Sequence, residues 1–104
     1  MREFVAVARE SDLTTETALR VEVEGEPVAL FNVGGVIYAI ADTCSHAEAS
    51  LSEGWVEDAV VECPLHGARF DLQTGRNLSL PAVTPVAAYD VKVEDGQVLV
   101  ARRR

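Results

Sequence analysis

The two cysteines and two histidines of this 104-residue chain all fall in one stretch, CSHAEASLSEGWVEDAVVECPLH, from Cys44 to His66. One residue separates Cys44 from His46, two separate Cys63 from His66, and sixteen lie between the pairs. Each pair offers one thiolate and one imidazole, donors suited to transition metals. Such a set can hold zinc, but zinc fingers place two cysteines on one knuckle and two histidines on a later helix. Here the types alternate. That order fits a two-iron cluster to which each loop gives ligands for both metals, Cys44 and Cys63 on one iron and His46 and His66 on the other. Two neutral imidazoles in place of two thiolates remove negative charge around one iron, which then accepts an electron more readily. A structural zinc site in an interaction module is the rival reading.

Four ligands can converge only if the chain between them runs out and back. GWVEDAVVEC supplies a strand-like pair around Glu57-Asp58, which would set the two loops side by side. The flanks are patterned as strands too. In TALRVEVE, Leu19, Val21 and Val23 share one face and Arg20, Glu22 and Glu24 the other. PVALFNV, a Gly34-Gly35 turn and VIYAIA continue a three-stranded meander. Tyr89, Val91 and Val93 alternate with Asp90, Lys92 and Glu94 before Asp95-Gly96 reverses the chain into QVLVA. Only SDLTTETAL has helical potential, about one turn, with Ser11 or Thr14 as its N-cap. The expectation is an all-β domain of antiparallel sheets over residues 1–104. A ligand-bearing subdomain at about 42–82 is inserted between scaffold segments 1–41 and 83–104.

Composition narrows the function. With 48% hydrophobic and 25% charged residues the chain is an ordinary globular domain, too small for a catalytic domain plus a separate carrier domain. No apolar run approaches the roughly 20 residues of a membrane span, and the N-terminus lacks a signal peptide's apolar core. A cytoplasmic location is expected, where cysteines serve as metal ligands or redox groups more often than as structural disulfides. The net charge of −8 opposes nucleic-acid binding and suits basic protein partners. Arg102, Arg103 and Arg104 read as a solvated basic tail.

The pattern C-S-H, sixteen residues, then C-P-L-H-G resembles the Rieske [2Fe-2S] family, most of all the small Rieske-type ferredoxins serving bacterial ring-hydroxylating oxygenases. VALFNVGGVIYAIADTCSH before the first loop, GARFDLQTGRNLSLP after the second and VKVEDGQVLV near the end extend the likeness along nearly the whole chain. The resemblance implies one Rieske [2Fe-2S] cluster per chain, held by Cys44, His46, Cys63 and His66, with both histidines bound through Nδ1. Their outer nitrogens would then face a docking partner and couple proton loss to the redox state, so that the potential falls at high pH. It further implies a monomeric one-electron carrier between a flavoprotein ferredoxin reductase and a terminal oxygenase, with no bond chemistry of its own. A small subunit of an assimilatory nitrite reductase shares the fold and is the alternative within redox proteins. Such subunits often lack the ligands.

Respiratory Rieske proteins carry an extra, disulfide-linked cysteine in each loop, at positions matching Ala49 and Leu65 here. No such disulfide is available. They also carry Ser and Tyr hydroxyls, hydrogen-bonded to the sulfurs, where this chain has Ala68 and Phe70. Their absence predicts a potential near the lower end of the Rieske range, roughly −150 mV. A respiratory subunit is further disfavoured by the lack of an anchor, and an oxygenase large subunit by length.

Gly67 is expected to permit a close approach of the loops and Pro64 to stiffen the second loop; the resemblance implies that Pro81 and Pro85 shape a shielding third loop, with a plain connector as the alternative. Trp55 and Phe70 are expected to fill the core. Glu48, Glu53, Glu57, Asp58 and Glu62 are a docking surface or a solvated face.

Overall fold

The computed structural model describes residues 4–14, 18–43, 49–64, 67–79 and 84–103. Their strands are β1 (Val5–Arg9), β2 (Ala18–Val23), β3 (Glu26–Val33), β4 (Val36–Ala41), β5 (Trp55–Glu57), β6 (Val60–Glu62), β7 (Arg69–Asp71), β8 (Ala88–Glu94) and β9 (Gln97–Arg102). All pairings are antiparallel. Six strands form one sheet in the order β1-β9-β8-β4-β3-β2, and β5-β6-β7 form a second. Among the described residues no helix is long and apolar enough to cross a membrane.

The strand β3 explains how the two sheets share a core. Its sequence EPVALFNV is apolar at successive positions, and residues 28–32 are all buried. A strand covered on both faces loses the alternation of a half-exposed one. Ala29 and Phe31 point into a core shared with Ile40, Leu51, Val61, Cys63, Phe70 and Leu72. Val28 and Leu30 face a second core with Leu13, Val23, Tyr89, Val98 and Val100. The first core joins the small sheet to the large one, and burying a side chain the size of Phe31 contributes about 1.5–3 kcal/mol.

The meander is as expected. In β2, Leu19, Val21 and Val23 are at least half-buried while Arg20 and Glu22 are exposed. The β2–β3, β3–β4 and β8–β9 turns place Glu24-Gly25, Gly34-Gly35 and Asp95-Gly96 at positive φ, the two-residue geometry that suits the twist of a hairpin.

Several expectations need correction. The helical turn is a 3-10 helix at Glu10–Asp12 that starts at Arg9, ahead of Ser11 and Thr14. It is closed by Leu13 N–H donating to the Glu10 carbonyl and by Arg9 N–H donating to the Asp12 carboxylate at 3.2 Å. Residues 15–17 of the expected helix lie outside the described residues. Trp55 does not fill the core: it is 65% exposed at the start of an edge strand, whereas Phe70 is fully buried. The basic tail is exposed at Arg102 and Arg103, as expected, but both make surface ion pairs; Arg104 lies outside the described residues. Arg102 closes β9 between Glu24 and Glu26, and Arg103 Nε lies 2.8 Å from Asp90 Oδ1.

Candidate metal centre

Both ligand-bearing segments leave the scaffold from strand ends and are fastened at their bases. The first follows β4. Thr43 pairs with Ser50 in an antiparallel bridge, which forms the neck of the first segment. Beneath that neck sits Asp42, 2% exposed. Its backbone N–H donates to the Pro27 carbonyl at 3.1 Å and its carbonyl accepts from Leu51 N–H at 2.7 Å. Its carboxylate accepts from the Ser50 hydroxyl and, at 2.9 Å, from Ser52 N–H. Arg20 Nε approaches the same carboxylate to 3.4 Å. A buried carboxylate is tolerated because these donors replace its water. Asp42 therefore ties both ends of the first loop to β2 and β3.

Leu51, fully buried, starts a second 3-10 turn (Leu51–Glu53) that leads to Gly54. A Cβ on Gly54 would collide with the carbonyl oxygen of Glu62. Only glycine lets these backbones meet. The contact matters for the site because Glu62 immediately precedes Cys63, so the exit of the first loop is pressed against the entry of the second.

The second segment begins where β6 ends. Cys63 N–H donates to the Ala68 carbonyl at 2.7 Å, and Gly67 N–H donates to the Cys63 carbonyl at 3.1 Å. These two bonds draw Cys63 against Gly67 and Ala68 at the neck of the second segment and satisfy the backbone of Cys63. Gly67 adopts φ +75°, and a Cβ there would meet Glu62 Oε2 only at 3.9 Å. Among the described residues the need for glycine comes from backbone conformation; the loop residues whose close approach was expected lie outside the described residues. Outside the neck, Glu62 and Arg69 are register partners whose side chains pair at 3.2 Å. Partly exposed, that pair contributes about 0.2–1 kcal/mol.

A third loop is anchored nearby. Leu78 N–H donates to the Arg69 carbonyl at 2.8 Å, Arg69 N–H donates to the Ser79 hydroxyl at 3.1 Å, and Val86 N–H donates to the Gly75 carbonyl at 2.9 Å. Pro85 is exposed at its far end, and Pro81 lies outside the described residues.

Cys63 is the expected ligand that the described residues include; Cys44, His46 and His66 lie outside them, as do Glu48 and Leu65. Among the described residues no group of three His, Cys, Asp or Glu side chains could hold a metal ion. Cys63 itself is fully buried, is in no disulfide among the described residues, and belongs to the same core as Ala68, Leu51 and the partly buried Ala49. A buried thiol among small side chains, at the neck of a hairpin, fits a cluster ligand. Two cysteines and two histidines are also the donor set that mixed ligation requires. Asp42 and Gly54 are site-forming residues that the sequence reading missed. The signal for Asp42 was faint: a carboxylate at the end of an otherwise apolar strand, followed by serines at 50 and 52.

Comparison with known proteins agrees with this architecture. Residues 3–90 match the family model described as the Rieske [2Fe-2S] domain. The 3-phenylpropionate/cinnamic acid dioxygenase ferredoxin subunit of Shigella flexneri serotype 5b is 52% identical over 91 residues, covering 86% of this chain and 85% of the relative. The ferredoxin of carbazole 1,9a-dioxygenase from Nocardioides aromaticivorans IC177 superposes with a TM-score of 0.90 at 41% identity, over 96% of this chain and 98% of that one. A chain from a complex of reduced oxygenase and oxidized ferredoxin in carbazole 1,9a-dioxygenase gives 0.89 at 39% identity, covering 97% and 96%.

Proposed function

Because the chain belongs to the Rieske [2Fe-2S] domain family, we propose that it is the ferredoxin component of a ring-hydroxylating dioxygenase system, carrying single electrons to a terminal oxygenase. The observation that carries this reading is the buried, hairpin-neck Cys63 in a fold shared over nearly its whole length with a dioxygenase ferredoxin. When bound, the cluster supplies reversible one-electron chemistry. Cys44 and Cys63 would hold one iron and His46 and His66 the other, within a ligand-bearing subdomain at about 42–82 of a single domain.

The chain's own residues account for the rest. Asp42 and Gly54 set the two necks against each other before any ligand is engaged, so little ordering is left for cluster binding. Buried Leu51, Ala68 and Phe70 keep water from the Cys63 side. The donor is a flavoprotein reductase, and the carrier works as a cytoplasmic monomer with no nucleic-acid or membrane partner. Substrate chemistry belongs to the oxygenase.

Single replacement of Cys44, His46, Cys63 or His66 by Ala tests the ligand set. Each should abolish the visible absorption of the purified protein, and retention of the full spectrum would remove that residue from the set.

A further inference from the structure

The most exposed large apolar side chain among the described residues is Trp55, at 65%, and it is the chain's single tryptophan. Leaving an indole in water forfeits the stabilisation of burying it, and tryptophan is the residue most enriched at the energetic centres of interfaces. Its surroundings are those of an interface. Trp55 opens β5, an edge strand of the small sheet. It stands between two hollows: about 370 Å³ shared with Val56, Glu57, Asp58, Glu62 and Arg69, and about 200 Å³ shared with Ala18, Phe31, Val33 and Gly54.

The charge beside it that has no ion-pair partner among the described residues is negative. Glu62 is paired with Arg69, but Glu57 and Asp58 are exposed and have no ion-pair partner among the described residues. Asp58 sits at φ +55° on the β5–β6 turn, so its carboxylate is carried at the tip of the hairpin. In register, Trp55 lies opposite Glu62, the residue before Cys63. A molecule seated on Trp55 is therefore one strand away from the metal centre.

We propose that Trp55, Glu57 and Asp58 form a docking face for a basic protein surface, an Arg or Lys stacking on the indole while further cations pair with the two carboxylates. A cation over an aromatic face is attracted by the ring's quadrupole, and the two acids place compensating charge beside it. The net charge of −8 draws such a partner from a distance, and the indole fixes where it lands. The face rests on exposure and charge; that its partner is a redox protein rests on the electron-carrier reading above.

The test uses the purified holoprotein and a basic c-type cytochrome as probe at low ionic strength. Binding is measured by titration calorimetry, and one-electron reduction of the ferric cytochrome by holoprotein previously reduced with dithionite and freed of excess reductant is followed by stopped flow. W55A should weaken binding about three- to fivefold and W55F less than about twofold, because a phenyl face still accepts a cation. E57Q/D58N should weaken it about fivefold; Asn tolerates positive φ, so position 58 is not strained. E10Q/E22Q, which removes the same charge from exposed scaffold positions, should change it less than about twofold. An unchanged W55A, an E10Q/E22Q loss equal to that of E57Q/D58N, or no binding by the wild type overturns the docking face. Binding with this order of variants but no cytochrome reduction supports the face and counts against the electron-carrier reading.

Discussion

Gly54 lies against the carbonyl oxygen of Glu62 so closely that no side chain could stand between them, and Cys63 is the next residue in the chain. This contact holds the chain that leaves the first neck against the chain that enters the second. Replacing Gly54 by Ala forces backbone apart at the site, at a cost of about 1–3 kcal/mol. The expected outcome is a lower denaturation midpoint together with less iron per chain. A variant that keeps full iron content and unchanged stability would show that the necks are spaced by something else.

Asp42 is the second fastening. Asp42→Ala leaves Ser52 N–H without its acceptor and the Ser50 hydroxyl with the Ser52 hydroxyl alone, in a part-buried place, and such a loss costs about 1–3 kcal/mol. Asp42→Asn keeps an acceptor for Ser52 N–H and should lose about half as much. Urea denaturation of the two variants beside the wild type checks this order. Arg20→Gln should cost less than either, because Arg20 is largely exposed.

Ala68 is fully buried beside Cys63, whose N–H it accepts. A hydroxyl added there stands where the family resemblance places a donor to the cluster sulfurs, and hydrogen bonds to sulfur raise a cluster's potential. Ala68→Ser should therefore have a midpoint above that of the wild type. Protein-film voltammetry at fixed pH measures the difference, and an equal or lower value would contradict the assignment.

Tyr89 gives a pH prediction away from the site. Burial raises its phenol above the ordinary value of 10.0; Arg102 opposes that shift, and Glu26 and Glu24 add to it. The folded protein thus holds this proton more tightly than the unfolded chain does. Above pH 10 the unfolded state ionises first, so stability falls as pH rises from there toward the raised folded value. Tyr89→Phe should show a shallower fall when denaturation midpoints at pH 9 and pH 11 are compared.

Much of this was readable in the sequence where local chemistry decides structure. Leu19, Val21 and Val23 declare a half-buried strand by their spacing, and Asp95-Gly96 declares a hairpin because both residues accept positive φ. The proposed ligand set rests on donor type and spacing in the sequence, with Cys44, His46 and His66 outside the described residues. What stayed hidden depends on distant partners. β7 is three residues long and owes its pairing to β6, so RFD carries no period of its own. Trp55 was expected inside because large aromatics usually are, but edge position decides its exposure. Asp42 has partners at positions 20, 50 and 52, and Arg102 at 24 and 26, distances that no pattern within a strand encodes.

The most direct test of the whole account is electron paramagnetic resonance of protein purified without oxygen and reduced with dithionite, read beside metal and sulfide analysis. The account predicts iron and acid-labile sulfide in equal amounts and a low-average-g signal that disappears on reoxidation. Zinc in place of iron, with a silent spectrum, would contradict it.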